Sequence, residues 1–248
     1  AEQPFRLAWL QHHIVITGTD QGVGHMRRLL TLIIGLTILL SGSPAWATPL
    51  EQRLNSWPDW SLPAPLSRPS TRDDLVYPDW FSGLWQVESR DLDAPDDDPL
   101  IHQALFALDS RDRLVGDRSF NASAIGRALL GEQLQRVEDD PESANRQIAW
   151  LKGDLRLETT VTGRRQETPD PTSFLADELV LQILHAPGPP RLSRIETLSL
   201  YNRCGEDICA EQWQGRYASP GESLRDQAVA HHHYALHFTP LPASAPSA

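Results

Sequence analysis

The chain has 248 residues, with 22 Lys and Arg against 33 Asp and Glu, so it carries a formal charge of −11 at neutral pH. So acidic a surface repels nucleic acid and anionic lipid head groups, which argues against either as a partner. There is no P-loop, no G-x-G-x-x-G and no G-x-S-x-G, so neither nucleotide binding nor elbow-type nucleophilic catalysis has support.

Residues 1–25 contain no methionine and no recognisable element; they read as upstream sequence and are set aside. From Met26 the layout is that of a secretory signal peptide. Arg27 and Arg28 supply the positive region, Leu29 to Leu40 a 12-residue apolar stretch, and Ala45-Trp46-Ala47 a small-x-small cleavage site. Twelve helical residues reach about 18 Å, short of a bilayer core of about 30 Å, so no stable span is expected after cleavage. The expected exported form runs from Thr48 to Ala248, with 19 basic and 31 acidic residues and a formal charge of −12. Its length suits one domain with a substantial core.

Residues 48–80 form a separate compositional zone with six prolines and a loose repeat, Trp57-Pro58-Asp59-Trp60 and Tyr77-Pro78-Asp79-Trp80. Proline fixes φ and biases its predecessor toward extended backbone, so an extended arm is expected, with one short amphipathic helix over 50–57. Such an arm either docks a partner or wraps and seals the domain behind it.

From Gly83 the pattern is period-two alternation broken by turn residues. A first strand is expected from Gly83 through Arg90, before the break at 94–99, and further strands over 101–109, 114–121, 146–152, 154–164, 173–185, 191–202, 208–217 and 232–238. Ala124–Leu134 reads as the one helix of the domain. Eight or nine strands linked in sequence, without crossover helices, predict a mainly β fold. The expected architecture is a single antiparallel up-and-down barrel over 81–240, with a disordered tail at 241–248.

Cys204 and Cys209 meet an oxidising compartment after export and are expected to form a disulfide across a hairpin; a redox-active pair is the alternative. Charged and polar residues inside strands form a second group of candidates: Arg118, Arg164, Glu178, Arg194, Glu196 and Gln212. Alternation places Glu178 on one face with Phe174, Val180 and Leu184, and Glu196 on one face with Leu192, Leu198 and Leu200. If those faces are interior, the carboxylates need arginine partners or a proton. Arginines in a cavity could hold an anionic head group in bidentate fashion. The same residues fit structural ion pairs or a solvent face equally well, and the two Glu could also suggest a glycosidase pair. His231, His233 and His237 are candidate ligands for zinc, copper or nickel, or an exposed tract that binds metal only adventitiously. An enzyme using the interior Arg/Glu group or the His cluster is the alternative to a binding protein. No cofactor is implied, although a small hydrophobic ligand is compatible with the barrel.

Gly83-Leu84-Trp85, in the setting "PDWFSGLW", resembles the G-x-W opening of lipocalin and calycin barrels, where the Trp packs across the closed end. On that resemblance Trp85 joins the candidate ligand-binding residues. More broadly, "PDWFSGLW", "DRSFNASAIG" (117–126), "VTGRR" (161–165), "DELVLQ" (177–182), "RIETLSLY" (194–201) and "EQWQGRY" (211–217) resemble an uncharacterised family of exported cyanobacterial proteins with relatives in the chloroplast thylakoid lumen. The resemblance implies a periplasmic or lumenal barrel and, by association, a photosynthetic membrane protein complex as partner. It implies no activity.

Overall fold

The computed structural model describes residues 47–219 and 226–242; the apolar segment from Met26 and the tail from residue 243 lie outside them. The arm opens with α1 (Pro49–Asn55), held by a capping box between Thr48 and Glu51 with proline in the first turn. A short 3₁₀ turn (Asp79–Phe81) leads into β1 (Gly83–Asp91), β2 (Leu100–Leu108) and β3 (Leu114–Gly116). Then come α2 (Arg118–Leu130), β4 (Leu134–Asp140), β5 (Ser143–Leu151), β6 (Leu155–Asp170) and β7 (Ser173–His185). β8 (Arg191–Cys204), β9 (Asp207–Tyr217) and β10 (Ala228–Pro240) complete the chain.

All ten strands form one antiparallel sheet in the order β3-β2-β1-β10-β9-β8-β7-β6-β5-β4, curled into a half-barrel. The expected mainly β, up-and-down architecture is therefore the observed one, with one strand more. β10 returns to β1, so the open seam falls between β3 and β4. β4 was not anticipated because its outward positions are charged and its apolar positions few, as suits an edge strand. Asp117 caps α2 by accepting from the Phe120 amide, and Gly131 ends it at φ 55°. The helix thus starts six residues before the expected Ala124 and releases Leu134 to β4. Arg118 stands in its first turn, not in a strand.

Two cores result. On the concave face, one end of the half-barrel is filled by an aromatic plug around fully buried Phe81, with Tyr77, Trp80, Phe106, Phe174, Tyr201 and Phe238 about it. On the convex face, Leu175, Leu198, Trp213 and Tyr217 are covered by Leu50, Leu54, Trp57, Trp60, Leu62 and Leu66 of the arm. The arm then crosses the seam at the plug end. Ser67 pairs with Arg164 of β6, the Asn145 amide donates to the Ser70 carbonyl, and Val76 pairs with Val115 of β3. Leu75, Tyr77 and Phe81 enter the plug behind it.

Candidate ligand cavity

Cross-strand register decides which side chains share the concave face. Starting from Phe174, Ala176, Glu178, Val180 and Gln182 of β7, the directly opposed residues on β8 are Tyr201, Ser199, Thr197, Ile195 and Ser193. On β9 the same face continues as Ala210, Gln212, Gln214 and Arg216. Toward the plug these residues are packed; beyond it they wall a cavity of about 340 Å³. Leu134 and Val137 (β4), Gln147, Ala149 and Leu151 (β5), Leu157 and Thr159 (β6), Val180 and Gln182 (β7), Ile195 and Thr197 (β8), and Gln214 (β9) form the walls. The lid is the second half of α2: Ile125, Gly126, Leu129 and Leu130.

Local structure explains the lid. Asn121 ties the first half of α2 to β2, donating to the Leu105 carbonyl (3.1 Å) and accepting from the Leu105 amide (2.7 Å). Arg118 adds an ion pair to Asp74 of the arm at 3.3 Å. At Gly126 a Cβ would lie 2.8 Å from Leu134 Cδ2, so glycine lets the helix settle against β4. The lining is aliphatic apart from three glutamines and two threonines, and it holds no charged side chain. Such a surface suits an apolar ligand with a few neutral anchoring points.

Most candidates from the sequence are committed elsewhere. Trp85 is buried in the plug, where its indole donates to the Phe81 carbonyl at 2.7 Å. Arg164 pairs with Glu178 at 2.5 Å and also donates to the Asp73 carbonyl. Arg194 binds the Ala218 carbonyl and Asp226. Gln212 accepts from the Ser199 hydroxyl. Glu196 lies on the opposite, convex face, fully buried beneath the arm, where Arg53 grips both its oxygens at 2.7 Å. Glu178 and Glu196 therefore stand on opposite sides of the sheet and do not form a carboxylate pair.

The histidines do not converge either. His231 meets the edge of Trp57, His233 stacks on Trp213 and binds Glu211, and His237 pairs with Asp207. Among the described residues, the groups whose ligand atoms lie within 4.8 Å of one another are Asp91/Asp93/His232 and Cys204/Cys209/His237. The second has its sulfurs tied in the Cys204–Cys209 disulfide. On the concave wall, His232 is pushed below its ordinary pKa by burial, opposed by Asp91 and Asp93. Burial raises Tyr77 and Tyr201 of the plug above the usual phenol range.

Residues 90–241, more than half of the chain, match the family described as Domain of unknown function (DUF6816). The chain belongs to the DUF6816 family. The matched stretch holds every residue that lines the cavity, whereas the arm and Gly83-Leu84-Trp85 precede it. Comparison with curated proteins gives no match.

The cavity, its lid and Arg216 were not singled out from the sequence. A faint signal existed: Gln212, Gln214 and Arg216 alternate with Trp213, Gly215 and Tyr217 along β9. A polar set opposite an aromatic set reads as a solvent face, and only the direction of curl makes it the inner one.

Proposed function

We propose that this protein is an exported, non-enzymatic binding protein that holds a small hydrophobic ligand between α2 and the concave face of the sheet. The observation that carries this reading is the cavity of about 340 Å³, aliphatic and free of charge. Its size falls within the range of about 300–1,000 Å³ typical of small-molecule sites. Apolar surface moved from water into it gains about 25 cal/mol per Å². Of the arm's tryptophans, Trp57 and Trp60 are packed on the barrel's own outer face and Trp80 in the plug, which favours ligand binding over a partner-docking role for the arm. The groups an enzyme would need in one cleft lie apart. The disulfide supports an oxidising compartment, and the segment from Met26 to Ala47 supports export. The resemblance to exported cyanobacterial and thylakoid-lumen proteins supports the periplasm or lumen, and a role beside photosynthetic complexes; loss of photosystem levels on deletion tests that role.

The cavity is tested by filling it. Val180→Trp places an indole among Ile195, Val137 and Leu129. The neutral fluorophore N-phenyl-1-naphthylamine should bind the wild-type protein and bind the variant about tenfold or more weakly, with circular dichroism preserved. Equal binding to both proteins would remove the cavity from consideration.

A further inference from the structure

On β9 and β10, three buried polar atoms of the concave face have no hydrogen-bond partner among the described residues: Gln214 Oε1, Arg216 Nε and Tyr234 Oη. They sit on adjacent strands. Gln214 stands opposite Thr197 and His232, Arg216 opposite Ile195 and Ala230, and Tyr234 opposite Gln212. Gln214 lines the cavity, and Tyr234, 95% buried, lines a hollow of about 430 Å³ that adjoins it across Leu129. Buried polar groups are almost always satisfied, so a cluster of orphans on one wall points to a missing hydrogen-bonding group.

Arg216 has no carboxylate partner among the described residues, whereas Arg118, Arg164 and Arg194 are paired with Asp74, Glu178 and Asp226. An enclosed guanidinium nitrogen without an acceptor is costly, and a carboxylate is its best-matched planar partner. Register sets Arg216 beside Ile195 of the cavity wall and two residues beyond Gln214 on the same face, bordering the cavity on the side farthest along β9 from the plug.

We propose, building on the cavity reading, that the ligand is a carboxylate-headed amphiphile whose apolar chain lies under α2 and whose carboxylate pairs with Arg216. Gln214 completes the head-group site. Amide orientation follows from the network, so turning the side chain over converts its orphan acceptor into an N–H donor toward the carboxylate. The other charged groups of this wall set the polarity. Asp91 and Asp93 gather at His232, opposite Gln214, and bear on Tyr234, so an anion is favoured only on the Arg216 side of Gln214; Arg216 is itself close enough to His232 to disfavour its protonation. In a chain of charge −11, an anion is held by this local pairing and not by the overall field.

The test compares dodecanoic acid with 1-dodecanol, which share a chain and differ in the head, by isothermal titration calorimetry on the full-length protein. The wild type should bind the acid about tenfold or more tightly than the alcohol. Arg216→Met should abolish that preference and leave the alcohol affinity unchanged. Arg216→Gln, which keeps a polar side chain, should do the same and guards against a folding defect in the first variant. Equal affinity for acid and alcohol in the wild type, or a preference that survives both substitutions, overturns the head-group assignment while the alcohol still reports a working cavity. Failure of both probes to bind the wild type overturns the cavity reading and the head-group assignment with it.

Discussion

At the scale of single residues, the densest chemistry lies outside the cavity. Asp177 and Glu196 are both fully buried on the convex face, under the arm. Glu196 is held by Arg53 through two bonds of 2.7 Å, with the Tyr217 hydroxyl donating to it as well. Burial and then the adjacent Glu196 charge push the Asp177 carboxyl well above the ordinary carboxylate range. The folded protein therefore holds a proton that the unfolded chain releases near pH 4. Stability must fall as pH rises from there, by up to about 1.4 kcal/mol per pH unit, until the folded-state value is passed. Asp177→Asn cannot lose that proton. Urea melts at pH 5 and pH 8 should show the wild type losing more stability than the variant; parallel losses would mean that Asp177 is already ionised in the fold. Alternation along β8 placed Glu196 on an apolar face, and elementary electrostatics then demanded an arginine or a proton. It could not name Arg53, which is 143 positions away in sequence and arrives only when α1 docks.

At the scale of elements, turn and cap residues explain most boundaries. Gly153 and Asp154 turn the chain with positive φ between β5 and β6, as Asp112 does before β3. The helix was legible in kind but displaced in position, because its start depends on one capping side chain, Asp117, and its end on Gly131. The β8–β9 hairpin is already in register from Cys204 opposite Asp207 to Arg194 opposite Tyr217. The disulfide closes only the five-residue separation at its tip. Replacing both cysteines by serine should therefore cost about 2 kcal/mol or less in urea unfolding. A loss several times larger would give the bond a role beyond holding the hairpin.

At the scale of the whole molecule, the arm is the device that makes a half-barrel stable. The curled sheet exposes a convex apolar surface and an open seam, and the arm covers the first before crossing the second. Contact is close where β6 and β9 carry glycine. A Cβ at Gly163 would lie 3.0 Å from Leu66 Cβ, and one at Gly215 would lie 3.0 Å from Trp60 Cε3. Gly215→Val should lift the arm at a cost of about 1–3 kcal/mol, with faster proteolysis between residues 56 and 66 as the readout. Unchanged proteolysis would show that the arm tolerates the added bulk.

Period-two alternation, turn chemistry and the scarcity of helices were enough to dictate an antiparallel up-and-down sheet, because they are local properties of the backbone. The cysteine spacing likewise indicated a hairpin disulfide. What alternation cannot supply is which of two faces becomes the inside. Trp213 and Tyr217 look like core and are covered from outside, while Gln214 and Arg216 look like surface and lie on the concave face, Gln214 in the cavity wall. That assignment follows from the direction of curl and from where the arm packs. Both depend on contacts between residues far apart in sequence, so the outer ion pair and the cavity wall appear only in the tertiary structure.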